Sequence, residues 1–168
     1  GGPEQPLIKA YADEIGVGDL CTFTGRVSDE DLCRILSSAD VAVDPDPKNN
    51  WSDKSTMNKI MEYMFFGLPI VAYALTEHRV SAQDAAVYAE PNSEHALAQE
   101  ISTLLKSPEK RKEMSEYGAS RVREKLVWQH SVPPLLAAYD AVFERGTRKR
   151  SEALDGGAKK LGVANDGG

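Results

Sequence analysis

The residues best suited to chemistry lie in "DKSTMNKIMEYMFFGLPIVAYAL", residues 53–75. Apolar residues recur there at helical spacing, which predicts a helix over 56–66 that ends at Gly67. Asn58 and Glu62 lie four residues apart and share a different face of that helix. The apolar positions that we expect to be buried are Met57, Ile60, Met61, Met64 and Phe65.

The start of this helix has the properties of an anion site. Ser55 or Thr56 is the predicted N-cap, which leaves the first amide N–H groups pointing at an incoming ligand. A nucleoside diphosphate bound there could reach Glu62 with its ribose, about 10 Å away at 1.5 Å per residue. A carboxylate offers two acceptors to the ribose diol. The residues alone leave open that Glu62 is simply solvated and that the polar start is an ordinary cap.

Composition narrows the function classes. The chain has 168 residues and a net charge of −6, which argues against nucleic acid as a partner. No apolar run approaches the roughly 18 residues of a membrane span. Cys21 and Cys33 lie in apolar patterns, so we predict core residues in a reducing, cytoplasmic compartment. The histidines have no metal spacing, and we expect no bound metal; they are His78, His95 and His130.

Short apolar strands alternate with helices along the chain. The predicted strands are 20–26, 41–45, 69–74 and 86–91, and the predicted helices are 4–15, 28–40, 56–66, 93–106, 108–126 and 131–145. Residues 75–85 are predicted as a loop. This alternation predicts an α/β fold with a doubly wound, Rossmann-like parallel sheet and helices on both faces. We expect one domain over 1–145 and a disordered tail over 146–168, which lacks a sustained apolar period.

Two longer stretches carry a family resemblance. "FTGRVSDEDLCRILSSADVAVDP" and "STMNKIMEYMFFGLPIVA" resemble the C-terminal, donor-binding domain of retaining family 4 (group 1) glycosyltransferases. Order and spacing agree over about residues 1–143, and Trp128 lies where the family has a tryptophan near the start of a last helix. The resemblance implies one half of a GT-B architecture.

The resemblance also implies roles for individual residues. Glu62 corresponds to the glutamate that binds the ribose of a sugar nucleotide. The helix start that holds the diphosphate corresponds to Ser55, Thr56, Met57 and Asn58. The loop that cradles the nucleobase corresponds to Gly25, Arg26 and Val27. No catalytic residue is assigned, and no cofactor is expected because the nucleotide sugar is a substrate.

The chain departs from the family pattern at one position. Many members carry a second glutamate eight residues before the ribose glutamate, where it contacts the donor sugar; this chain has Lys54. Three interpretations stay open. Asp53 supplies the carboxylate from one residue earlier, Lys54 faces the donor site, or Lys54 points to solvent. We prefer Asp53, because loops tolerate one-residue shifts better than sites tolerate lost acceptors.

These observations predict the donor-binding domain of an enzyme that transfers a sugar from a nucleotide sugar to an unknown acceptor with retention. The alternatives are a GT-B sugar-nucleotide epimerase and a non-catalytic α/β module that binds a nucleotide or a protein. The opening "GGPE" resembles a glycine-rich turn that follows the family's basic phosphate ligands. We therefore expect those ligands and an N-terminal acceptor domain outside this chain, and no transfer by the chain alone. Peripheral membrane association of the full-length enzyme is left open.

Overall fold

A computed structural model describes the backbone of residues 2–161 and the side chains of residues 2–145. The chain divides into two units, Gly1–Ala119 and Ser120–Gly168. The first unit contains the sheet. Within the described residues, no helix combines the length and the apolar content needed to cross a bilayer.

The first unit alternates helices and strands, as the sequence predicts. Its elements in chain order are α1 (Gln5–Glu14), α2 (Asp29–Ser38), β1 (Ala42–Asp44), α3 (Asn58–Phe65), β2 (Ile70–Tyr73), α4 (Thr76–Ala82), β3 (Ala86–Ala89), α5 (Glu94–Leu105) and α6 (Pro108–Arg121). Ser28 caps α2 as expected, because its hydroxyl accepts from the amide of Asp31.

The three strands form a parallel sheet in the order β1-β2-β3. Ile70 of β2 aligns with Ala42 on one side and with Ala86 on the other. All four residues of β2 are buried. Because side chains alternate along a strand, both faces of β2 must be covered. Helices α3, α4 and α5 pack on it, which confirms the predicted α/β, Rossmann-like fold.

One core cluster joins the sheet to the later helices. Val71 and Tyr73 of β2 pack with Leu97 and Leu104 of α5 and with Met114 of α6. The other side chains of β2, Ile70 and Ala72, are equally buried. The central strand therefore lies inside the hydrophobic core on both faces.

The predicted strand over 20–26 is wrong. Cys21 has extended backbone angles, but residues 21–24 pair with no strand within the described chain. β-Forming residues need a neighbouring strand to express their preference, and this segment is largely exposed. The prediction that Cys21 and Cys33 are core residues is also wrong. Cys21 lies in this segment, Cys33 lies in α2, and both residues are exposed.

Residues 75–85 also differ from the prediction. Instead of a loop they contain α4 and a 3-10 turn, Gln83–Ala85. This short helix buries His78, Ser81 and Ala82, so tertiary packing stabilises a segment with weak periodicity. In α3, Ile60 and Met64 are fully buried as predicted, whereas Phe65 is 67% exposed.

The second unit contains a π-helical turn, Val122–Leu126, and the long helix α7, Trp128–Leu161. Trp128 begins this helix, as the resemblance implies. Helical backbone is assigned through Leu161, but the side chains after residue 145 and all of residues 162–168 lie outside the described residues. The disordered tail over 146–168 and the domain boundary at 145 therefore stay predictions.

Two glycines allow α3 to pack closely on α6. Gly67 ends α3 with a φ of +68°, as predicted, and a β-carbon there would lie 3.0 Å from the Ser115 hydroxyl. Gly118 of α6 is buried, and its β-carbon would lie 3.1 Å from Ala85 and 3.2 Å from Met64. At these distances a larger side chain requires its neighbours to shift.

We predict that Gly118→Val lowers the free energy of unfolding by about 1–3 kcal/mol through overpacking. Helix propensity alone would slightly favour valine over glycine, so the loss would report packing against Met64 and Ala85. Urea denaturation measures the change. The control is Ala119→Val, at a half-buried position of the same helix. Equal stability of wild type and Gly118→Val would contradict the close packing.

Candidate active site at the carboxyl edge of the sheet

Two helix starts meet at one edge of the sheet. β1 and β2 are parallel, so their carboxyl ends, Asp44 and Tyr73, lie at the same edge. The chain leaves this edge after Asp44 and returns to begin α3 at Asn58; it leaves again after Tyr73 and begins α4 at Thr76. In open α/β sheets this edge is where ligands bind.

The start of α3 has no side-chain cap. Met57 is the N-cap residue, with φ −93° and ψ 116°, and its side chain accepts no hydrogen bond. The predicted caps act elsewhere, because Ser55 donates to the carbonyl of Trp51 and Thr56 donates to Glu77 of α4. The prediction of a Ser55 or Thr56 cap is therefore wrong. An uncapped helix start presents amide N–H groups and a positive dipole to an anion.

Asn58 and Glu62 are both exposed on α3, as predicted. The helix begins two residues later than the sequence predicts. Glu62 consequently lies about 6 Å along the axis from the helix start, at 1.5 Å per residue, rather than 10 Å. Both side chains are accessible to a ligand at this end of the helix.

Asp53 holds the start of α4. Its Oδ1 accepts from the Thr76 amide and its Oδ2 from the Thr76 hydroxyl, both at 2.9 Å. These two hydrogen bonds lower the pKa of Asp53 below its ordinary value, and Lys48, whose Nζ lies 3.7 Å from Oδ1, adds to the effect. Asp53 is thus an anchor within the loop. A carboxylate has about four lone-pair sites, so Thr76 does not use all of them.

The loop between β1 and α3 is held by side-chain hydrogen bonds near both of its ends. Asn92, before α5, accepts from the Lys48 amide and donates to the Lys48 carbonyl. Lys54 is exposed, and so is Trp51. The loop that contains Asp53 and Lys54 therefore leads directly into the start of α3, at the carboxyl edge of the sheet.

Gly25 of the predicted nucleobase loop lines a cleft of about 520 Å³, and Arg26 and Val27 do not. Gly25 has a φ of +64°, which favours glycine, while Arg26 is exposed and Val27 is half-buried. The lining residues are Gly2, Pro3, Glu4, Gln5, Ile8, Thr22, Phe23, Thr24 and Gly25. This volume is in the range of small-molecule sites. Within residues 2–145, no hydrogen bond or ion pair links this loop to α3.

Sequence reasoning missed a buried charged cluster below the α3 start. Asp44 is fully buried at the end of β1, and its Oδ1 lies 3.1 Å from Nζ of Lys59. The same ammonium lies 2.8 Å from Oδ2 of Asp46, and Nε2 of His78 lies 3.4 Å from Oδ2 of Asp44. The carboxylates are two positions apart, but His78 comes from α4, so no short motif could have revealed the cluster.

The partners of Lys59 stabilise its positive charge. Partial burial alone would lower the pKa of its ammonium, but the hydrogen bonds and charges of Asp46 and Asp44 outweigh burial and raise the pKa. Lys59 is the second residue of α3. Its ion pairs therefore tie the beginning of that helix to the end of β1.

Comparison with known proteins identifies the family. The sequence profile of the family Glycosyl transferases group 1 matches residues 1–121. The chain belongs to this family. The predicted membership in the group 1 glycosyltransferases is thus confirmed, and sugar transfer is the activity class that it supports.

Two curated relatives agree with this assignment. The chain is 29% identical over 147 residues to the MMP alpha-(1->4)-mannosyltransferase of Mycolicibacterium hassiacum, covering 86% of this chain and 34% of that protein. It is 28% identical over 158 residues to the D-inositol 3-phosphate glycosyltransferase of Geodermatophilus obscurus, covering 92% of this chain and 33% of the relative. The chain thus spans about a third of the length of these relatives.

A solved structure agrees in fold. Sucrose-phosphate synthase from Thermosynechococcus elongatus superimposes with a TM-score of 0.72 at 24% identity, over 86% of this chain and 35% of that one. At this identity the likeness supports the α/β fold alone.

We predict that Asp53→Ala lowers the thermal unfolding midpoint at neutral pH, because Thr76 loses both acceptors. The folded pKa of Asp53 is lowered, so its stabilising contribution is present above its ordinary pKa of about 3.9 and is lost as the pH falls through the folded value. The difference between wild type and variant should therefore shrink on acidification below about pH 4. Lys54→Ala, at the exposed neighbouring position, is the control. A difference that stays constant from pH 7 to pH 3 would argue against this role.

Proposed function

We propose that this chain is the donor-binding domain of an enzyme that transfers a sugar from a nucleotide sugar to an acceptor, with retention of configuration. The observation that carries the proposal is the uncapped start of α3 at the carboxyl edge of the sheet, with Glu62 exposed one turn further along. Family membership favours transfer over epimerisation or simple binding. Retention and membership of family 4 rest on the sequence resemblance.

The leaving group of this reaction is a nucleoside diphosphate. Free amides at the start of α3, with the helix dipole behind them, would stabilise the negative charge that develops on it. Donors held in place before the reaction need no reorganisation during bond breaking, so the helix start acts without a bound metal ion. Ser55, Thr56, Met57 and Asn58 form the segment that would approach the phosphates.

The ribose and the nucleobase of the donor have separate proposed contacts. Glu62 would accept hydrogen bonds from the ribose diol, because a carboxylate matches two neighbouring hydroxyl donors. The backbone of Gly25, Arg26 and Val27 would contact the nucleobase. The cleft lined by Gly25 offers half-buried Phe23 beside it, with the ammonium of Lys9 at 5.6 Å from the ring centroid.

For the transferred sugar we retain Asp53 as the preferred contact, using the lone pairs that Thr76 leaves free. The acceptor would bind to parts of the protein outside this chain, and catalysis by positioning would require the donor domain and the acceptor domain together. We therefore expect this chain alone to bind donor without transferring sugar. A cytoplasmic location, with or without peripheral membrane association, stays a prediction.

We predict that Glu62→Ala weakens binding of nucleoside diphosphates by roughly 1.5–3 kcal/mol, the cost of hydrogen bonds to a charged group. Calorimetry on the intact protein with a panel of nucleoside diphosphates measures the affinity. Glu109→Ala removes an exposed glutamate from α6 and is the control. If the wild type binds and Glu62→Ala binds with the same affinity, Glu62 is an ordinary solvated residue and not a ligand contact.

A second experiment concerns the sugar contact. We predict that, in the full-length enzyme, Asp53→Asn lowers turnover with the native donor far more than Lys54→Met. Because Asp53 also anchors α4, Thr76→Val is the necessary control: it removes the hydroxyl donor and leaves the Asp53 carboxylate in place. If Thr76→Val is as damaging as Asp53→Asn, the carboxylate acts through α4. If only Lys54→Met is damaging, the lysine belongs to the donor site.

A further inference from the structure

Three side chains from separate parts of the chain converge below the start of α3. Asp44 ends β1, Asp46 lies in the following loop, and His78 lies in α4. Their ligand atoms all lie within 4.8 Å of one another. The Asp44 side chain is completely buried, and that of His78 is 1% exposed.

Hydrogen bonding fixes the orientation of the His78 ring. Its Nδ1 lies 3.0 Å from the carbonyl oxygen of Tyr73, which only accepts, so Nδ1 carries the hydrogen. In the neutral ring, Nε2 then directs its lone pair at Oδ2 of Asp44, 3.4 Å away. Neither of these two buried atoms has a hydrogen-bond partner within the described residues. Two buried lone pairs that face each other repel, and a proton or a metal ion between them would remove this cost.

The charges of the cluster also favour a cation. Asp44 and Asp46 contribute two negative charges when both are ionised, and the ammonium of Lys59 contributes one positive charge. That ammonium contacts Oδ1 of Asp44 and Oδ2 of Asp46, so within the described residues Oδ2 of Asp44 faces Nε2 of His78. A cation beside these two atoms would balance the second carboxylate.

The distance between His78 and Asp44 suits two ligands of one tetrahedral metal ion. Zinc binds nitrogen and oxygen ligands at about 2.0–2.2 Å, which places neighbouring tetrahedral ligands roughly 3.3–3.5 Å apart. The observed separation of Nε2 and Oδ2 is 3.4 Å. A carbonyl acceptor on the other ring nitrogen, here that of Tyr73, is the usual outer partner of a metal-ligating histidine. Mixed imidazole and carboxylate ligands are typical of zinc and similar transition metals.

We propose that Asp44, Asp46 and His78 form a binding site for a divalent transition metal ion such as Zn²⁺, and that the ammonium of Lys59 is a competing cation within the site. The ion reaches the site from the side of Asp46 and Lys59, whose side chains are 29% and 36% exposed. The bound ion ties the loop after β1 to α4. Its role is structural, and the proposal does not rest on the proposed function.

Absorption spectroscopy with Co²⁺ as a probe for Zn²⁺ tests the proposal on the full 168-residue chain without a histidine tag. We expect the intense visible bands of a tetrahedral nitrogen and oxygen site, which Zn²⁺ then abolishes. His78→Gln should weaken Co²⁺ binding by roughly tenfold or more. His95→Gln, which removes an exposed imidazole from α5, should leave it unchanged. If His78→Gln fails to fold by circular dichroism, Asp46→Asn takes its place.

Lys59→Met gives the discriminating result. Removal of the competing ammonium should tighten Co²⁺ binding by roughly tenfold, and Zn²⁺ should raise the unfolding midpoint of this variant more than that of the wild type. A second proton on His78 would satisfy the same lone pairs without a metal. In that case wild type and Lys59→Met alike would show only the weak absorption of aqueous Co²⁺. Either that result or weaker binding in Lys59→Met would overturn the proposal.

Discussion

The parallel pairing of β1 with β2 determines where everything else at this site lies. Parallel strands require a crossover, so the chain must travel back along the sheet as α3 before it can enter β2. As a result α3 and α4 both begin at the carboxyl edge. Two hydrogen-bonded links, Asp53 to Thr76 and Thr56 to Glu77, connect the segments that lead into these helices. The hydroxyl and carboxylate groups in these links are unavailable as caps for α3, and its first amides stay without a side-chain partner.

The acidic side chains at this edge have different roles, and the surroundings of each carboxylate determine its role. Asp53 is accessible but committed to α4 by two hydrogen bonds. Asp44 is fully buried, with its Oδ1 against the ammonium of Lys59 and its Oδ2 facing Nε2 of His78. Glu62 is exposed, and within the described residues its carboxylate makes no hydrogen bond or ion pair. A carboxylate without internal partners can bind a ligand without disturbing the fold, which suits the role proposed for Glu62.

The sequence was most informative where local rules and tertiary packing agree. The strands over 42–44, 70–73 and 86–89, the cap at Ser28 and the left-handed Gly67 follow from patterns a few residues long. The strand prediction over 20–26 failed because strand formation depends on a partner strand that is distant in sequence. Helix α4 and the Asp44–His78 contact were missed for the same physical reason. The first is stabilised by burial, and the second joins residues 34 positions apart.

The tie between Asn92 and Lys48 has a consequence for protein engineering. The Asn92 amide accepts from one backbone group of Lys48 and donates to the other, so it takes the place of a neighbouring strand. The loop over 45–57 is thus held by side chains that belong to later elements: Asn92 before α5, and Thr76 and Glu77 in α4. A loop transplanted into another scaffold of this architecture would lose its shape unless these partners were transplanted with it. The exchangeable unit is therefore discontinuous in sequence: one loop and its distant partners.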